Sequence, residues 1–313
     1  MKTIAQLSAL AAVFSGSLVA GDYDGKNIID PKQPVSQSGN VVGEIGVSGG
    51  WNGARMTTDD GNDFDRDSTY FTTIQGSIAF RALDVYTFAF DAYTRHDGFG
   101  SSNEFDSNNA PEDEHGFGSH ILFDFGTDTR IGGFVGYGDT DAFNLTRNES
   151  YDVLMYGFEA NTFIREDLMF FAQLGYGDKE RPGTSANEGF RQGLVTRAGL
   201  TYFANENTAL TLDLEYANSE PYIDGNDNGR FFGVTFGGET RISDRAPLFV
   251  TYFTRYDIID ATTEGEKVDE MQVGFGIKYL FGADSPLEAA RKGRSIGTPR
   301  LPTRASAWTE AID

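Results

Sequence analysis

The chain has 313 residues with 25 basic and 47 acidic side chains, a formal net charge of −22. That balance excludes a phosphate-binding surface as its main business, because nucleic-acid binders carry a basic footprint. The absence of cysteine excludes disulfide frameworks, thiolate zinc sites and cysteine nucleophiles, and Gly plus aromatic residues make up a quarter of the chain, a folded β composition.

Lys2 supplies a positive n-region, Ile4 to Phe14 a short apolar h-region, and small residues lead into Leu18-Val19-Ala20-Gly21. This predicts a secretory signal peptide over 1–20, cut after Ala20 or Gly21. Residues 21–40 then form a periplasmic N-terminal segment. No apolar run of about 18 residues follows, so any membrane crossing must be made by strands.

From Val41 the chain breaks into segments of about ten to fourteen residues with period-two alternation, the length of a tilted strand crossing a bilayer. Strands are predicted near 41–51, 69–81, 85–95, 116–126, 130–138, 151–163, 168–177, 190–203, 208–218, 230–242, 248–257 and 270–281. In the last, Met271, Val273, Phe275, Ile277, Tyr279 and Phe281 alternate with Gln272, Gly274, Gly276 and Lys278. Five tight connections alternate with six long, polar ones. A soluble sandwich has no reason to sort its loops by side. An up-and-down antiparallel transmembrane β-barrel of about 12 strands, all-β over 41–281, has short periplasmic turns and long extracellular loops.

One face of these strands is mostly Leu, Ile, Val, Phe, Tyr, Ala and Gly. The other carries Glu44, Gln75, Asp91, Asp124, Glu159, Gln173, Arg197, Asp213, Glu215, Glu239, Arg241, Arg255 and Lys278. A charge facing hydrocarbon costs about 2–4 kcal/mol at mid-depth, so the charged face lines the lumen. Aromatics form two interfacial girdles. Trp51, Tyr70, Tyr93, Phe117, Tyr137, Tyr151, Tyr176 and Tyr256 mark the long-loop rim. Phe80, Phe125, Phe163, Phe170, Tyr202, Tyr279 and Phe281 mark the short-turn rim.

The signal peptide, the strand pattern and a last strand ending Gly276-Ile277-Lys278-Tyr279-Leu280-Phe281 resemble those of Gram-negative outer-membrane β-barrel proteins. The resemblance covers 41–281. It implies location in the cell outer membrane, contact with outer-membrane lipid and lipopolysaccharide, and reading of the last strand by the barrel-insertion machinery. In that class the final Phe usually ends the chain; here 32 residues follow it.

Nothing in the pattern points to an enzyme. A nucleophilic site needs His within reach of Ser. His96 lacks the His-x-Ser spacing of the twelve-stranded outer-membrane phospholipase, and His96 and His115 fall at or in loops. Ser119 and His120 are neighbours on a strand and point to opposite faces. No catalytic residue or cofactor is assigned. Asp224-Gly225-Asn226-Asp227-Asn228-Gly229 matches half of a calcium loop, but Thr235 stands at its twelfth position, so no metal site is assigned. The acidic loops, with Asp59, Asp60, Glu104, Asp106, Asp260 and Glu264 among their residues, suit weak, distributed binding of divalent cations beside lipopolysaccharide.

The charged inner face is the candidate constriction: Glu44, Asp91, Asp124, Glu159, Arg197, Asp213, Glu215, Glu239, Arg241, Arg255 and Lys278. The tight connection at 204–207 sets Arg197 opposite Glu215, with Asp213 diagonal, and closure sets Glu44 across from Lys278. Such pairs either hold a small barrel shut or orient polar solutes. Inner-face glycines, Gly118, Gly136, Gly199, Gly233 and Gly274 among them, either leave volume open or admit large neighbours; the sequence does not choose.

After Phe281, Ser285-Pro286-Leu287-Glu288 is a capping box with Pro at the first helical position, predicting a helix to about Lys292, ended by Gly293. The tail 282–313 is net positive. It is either a periplasmic extension or folds up against the lumen near Asp124, Glu159 and Glu239, held loosely by opposite charge. The pattern as a whole predicts a narrow passive, porin-like channel for small hydrophilic solutes, cation-preferring because seven inner acids exceed four inner bases. The rival is a filled barrel acting through its acidic loops as a structural or surface-interaction protein.

Overall fold

The computed structural model describes residues 41–57, 63–65, 69–82, 85–99, 110–144, 147–179, 190, 192–219, 229–261 and 266–303. The expected signal peptide, the N-terminal segment and the tips of the long acidic loops lie outside the described residues.

Thirteen strands follow one another in chain order: β1 (Val41–Thr57), β2 (Asp63–Asp65), β3 (Thr69–Ala82), β4 (Tyr86–Phe99), β5 (Ala110–Phe125), β6 (Thr129–Asn144), β7 (Arg147–Arg165), β8 (Leu168–Lys179), β9 (Gln192–Asn205), β10 (Thr208–Asn218), β11 (Arg230–Arg241), β12 (Leu248–Ala261) and β13 (Glu266–Phe281). The three-residue β2 pairs only with the end of β1. The other twelve form an antiparallel ring, each bonded to its chain neighbours, and β13 pairs with β1 to close it. Closure abolishes the free edges that a sheet would otherwise present.

The strands run past their predicted ends on the long-loop side. β7 has 19 residues, Arg147–Arg165, where the alternation marks only 151–163. Beyond the lipid the apolar face is no longer required, so the alternation fades. The backbone N–H and C=O groups still need partners, and the ladder continues. At the short-turn side the connections are tight, as with Gly126 (φ 79°) between β5 and β6.

The alternation sorts side chains as expected. Ile45, Val47, Ile74, Phe90, Ile121, Val135, Phe158, Leu174, Phe236 and Ile277 stand exposed on the outside, Phe158 at 75%. A soluble monomer rarely exposes apolar patches beyond a few hundred Å²; a continuous belt around a closed barrel belongs in lipid. Two girdle residues are corrected: Tyr93 and Phe163 point inward. Tyr93 is 9% exposed, and Phe163 packs against a buried cluster. Each shares the parity of an inner acid, Asp91 and Glu159, and so the inner face.

The interior is occupied by the chain's own C-terminal segment. Gly282 (φ 74°) turns the chain off the end of β13; a Cβ there would overlap the Val41 carbonyl. Helix α1 (Pro286–Arg291) follows. The Ser285 hydroxyl accepts from the Glu288 N–H at 3.1 Å, and the Glu288 carboxylate accepts from the Asp284 N–H at 2.8 Å, one residue before the cap. The helix ends in a Schellman motif: Gly293 (φ 94°) donates to Ala290 O at 3.1 Å and Arg294 to Ala289 O at 2.9 Å. Residues 294–303 continue against the inner wall. Over 282–303 the tail is thus an internal segment and not an extension outside the barrel, because an acidic, glycine-notched wall offers it partners along its length.

Candidate functional site

At the short-turn end, α1 caps the lumen with apolar contacts. Leu287 and Ala290 pack with Met169, Phe171, Phe203 and Ala209. Ala283 and Ala289 pack with Val42, Ala79, Ala89, Phe249 and Leu280. Arg130 donates to the carbonyls of Ala290, at 2.9 Å, and Arg291, and is itself held by Asp124 at 2.9 Å. Asp124 also pairs with Arg81. Arg291 lies 4.5 Å over the Phe163 ring, a cation–π contact. Arg241 is at this rim, bonded to the carbonyls of Ser243 (2.8 Å) and Asp284 (3.1 Å), below the constriction expected for it.

Above α1 lies a cluster of two acids and two bases. Lys278 Nζ is 3.0 Å from Glu44 and also pairs with Glu239; Arg294 is 2.8 Å from Glu239 and 3.4 Å from Glu44. Closure indeed brings Glu44 to Lys278, although in register Lys278 faces Gly46 and Glu44 faces Leu280. Side chains reach diagonally across the ladder.

The middle of the lumen joins Asp91, Glu159, Gln173 and His120. His120 is buried, with Nε2 2.6 Å from Asp91 and Nδ1 2.9 Å from Glu159. Each ring nitrogen thus faces a carboxylate, which ties β5 to β4 on one side and to β7 on the other. Gln173 donates to Glu159 and to Gly297 O, both at 2.9 Å. Thr298 donates to Asp91 through its backbone N–H (3.4 Å) and hydroxyl (3.3 Å).

Arg197 is opposite Glu215 in the β9–β10 register, as the tight turn requires. It holds Asp213 more closely, at 2.7 Å, than Glu215, at 3.6 Å. Its Nη1 donates to Ile296 O and Gly297 O, each at 2.9 Å. Glu215 also takes Arg255 (3.0 Å) and the Leu301 N–H (3.1 Å), while Arg255 pairs with Asp257 (2.8 Å). Arg300 stacks 3.9 Å over Tyr93 and donates to Gln75 at 3.1 Å. Toward the long loops, Arg95 holds Asp97 and Gln272, each at 2.7 Å. Leu301 closes an apolar cluster with Phe134, Met155, Phe190, Phe231 and others.

These contacts leave part of the lumen open: a cavity of about 380 Å³ whose lining includes Ser48, Thr73, Gln75, Thr251, Phe253, Arg255, Gln272 and tail residues Arg294 to Thr298. Every candidate lumen residue has a partner among these contacts; Arg241 has its own at the short-turn rim. Sequence reasoning passed over Arg81, Arg95, Asp97, Glu114, Arg130, Asp257 and Glu270, and gave His120 the parity of Asp124 without assigning it a partner. Period two would have placed them inside: each shares a parity with an inner residue on its own strand. His96 and His115 are strand residues, not loop residues; they face outward on β4 and β5, and His96 contacts Asp113 at 2.7 Å. Both lie in the strand extensions that the alternation does not mark.

No family model matches the chain, and no curated protein matches it in sequence. Solved structures do match. An outer membrane channel from Pseudomonas putida F1 superposes with a TM-score of 0.51 at 11% identity, over 80% of this chain and 99% of that one. The P. putida toluene transporter TodX gives 0.41 at 12% identity, over 80% and 92%. The KdgM porin bound to disordered oligogalacturonate gives 0.38 at 8% identity, over 74% and 98%. The first supports the barrel architecture; none speaks to a solute.

Proposed function

We propose that the protein is an outer-membrane channel for small hydrophilic solutes, narrowed by its own residues 282–303. The carrying observation is the cavity of about 380 Å³, lined by charged, polar and apolar side chains together, that borders the tail. Burying charges is costly, and a barrel that only had to be filled would do better with apolar side chains. This one keeps eleven acids on its described inner face: the seven expected plus Asp97, Glu114, Asp257 and Glu270. Against them stand seven bases: the four expected plus Arg81, Arg95 and Arg130. Arg294 and Arg300 of the tail, together with His120 between Asp91 and Glu159, offset part of the acid surplus, so cation preference is weak in the full chain. Outer-membrane lipid, lipopolysaccharide and the insertion machinery are the partners this reading implies.

In planar bilayers the full chain gives discrete current steps, and a salt gradient gives a reversal potential of cationic sign that shrinks as salt rises. A protein that passes no current, before or after its tail is cut away, sinks the reading. The three apolar clusters that include tail residues favour the filled structural barrel as the second reading, and the same measurement decides between them.

A further inference from the structure

The contacts between wall and tail are of a particular kind. Arg130, Gln173 and Arg197 donate to the main-chain carbonyls of Ala290, Arg291, Ile296 and Gly297. Asp91 and Glu215 accept from the main-chain N–H groups of Thr298 and Leu301. These bonds address a peptide backbone whatever its side chains are. Selectivity is added at a few places: the acids Glu44 and Glu239 for a guanidinium, and a notch where the wall has no side chains. At Gly118 a Cβ would overlap Thr298 Oγ1; at Gly136 it would overlap Thr298 Cγ2; at Gly138 it would overlap Thr303 Oγ1. Main-chain bonds for affinity and pockets for chosen side chains for specificity are how receptors take extended peptides.

We propose that the inner wall is a peptide receptor and that residues 283–303 are its resident, exchangeable ligand. The proposal rests on the channel reading for its consequence, which is that an exchanged peptide opens and closes the passage. The chain's only covalent tie between wall and ligand is the turn at Gly282. The middle contacts are ionic or hydrogen-bonded and border a cavity, so salt and water compete for them.

The test uses the full chain with a protease site inserted between Gly282 and Ala283, folded and then cut. In raised salt the cut tail leaves. A dye-labelled synthetic peptide of residues 283–303 is then taken up one to one, seen by fluorescence anisotropy, and bilayer current falls as it binds. The same peptide carrying Thr298→Trp, too large for the notch, binds at least about tenfold more weakly, the ratio that 1.4 kcal/mol gives. A cut tail that stays in place in 1 M salt, an emptied barrel that takes up no peptide, or equal binding of the Trp peptide would each overturn the receptor. Current without peptide uptake overturns it and leaves the channel reading; uptake without current in any state leaves the receptor and overturns the channel. If the inserted site prevents folding, the uncut chain with Thr298→Trp replaces it: trypsin cuts it at Arg294 and Arg300 while the native chain resists, and equal resistance counts against the proposal.

Discussion

Two sectors of the inner wall use glycine in opposite ways. On β5 and β6, Gly118, Gly136 and Gly138 make a notch that residues 298 and 303 of the tail fill. Elsewhere in the ring the glycines admit the wall's own side chains: Phe253 lies on Gly274, the carboxylate of Asp257 on Gly233, and Phe171 on Gly199. The second sector fills its glycine positions with its own side chains once the ring closes. The first is filled only when the tail arrives. The comparison shows that a glycine-rich lumen is neither empty nor uniformly filled; what matters is which atoms the missing Cβ makes room for.

The largest effect that should separate the sectors is on charge. Arg294→Glu would put a third carboxylate beside Glu44 and Glu239, with Lys278 alone to neutralise them. Breaking a largely buried pair costs about 3–5 kcal/mol. The tail is expected to lose its protection from protease while the wall keeps its β signal in circular dichroism. A tail as resistant as the native one would mean that the seat does not depend on this cluster.

Next comes the paired test of the glycines. Gly136→Val overfills the notch and should unseat the tail, at about 1–3 kcal/mol, leaving the unfolding temperature of the barrel nearly unchanged. Gly274→Val drives a side chain into Phe253 and should do the reverse, lowering the unfolding temperature by a similar free energy while the tail stays protected. If both variants fail in the same way, the two sectors are not distinct.

The alternation made the ring legible. Parity placed the lumen acids, and the tight turn at 204–207 put Arg197 against Glu215. Tyr93 and Phe163 were misread because their aromatic character was weighed above their parity with Asp91 and Glu159. The strand extensions were not legible, because beyond the lipid the backbone ladder persists without an apolar face. The tail's helix could be read from Ser285-Pro286-Leu287-Glu288. Its seat could not: whether Gly118 receives a threonine from 180 residues away is a tertiary fact with no local signal.

The smallest expected effect is electrical. Arg300→Gln removes a cation stacked on Tyr93 and restores one unit of the acid surplus. The reversal potential in a salt gradient is expected to move a few millivolts toward cations, with conductance little changed. A shift toward anions would show that the side chains facing the free cavity do not set the ion preference.

The turn at Gly282 has a consequence for the order in which the molecule is built. The tail's partners come from β1, β4, β5, β6, β8, β9, β10 and β11, so its seat does not exist on an open sheet. It comes into being when β13 finds β1, a pairing that joins residues more than two hundred positions apart and so closes the longest loop in the ring. The tail leaves the sheet at that same seam and can fold in only once the seam is made. Its burial thus reports that the ring is complete: an unclosed barrel exposes it to proteolysis, and a closed one hides it.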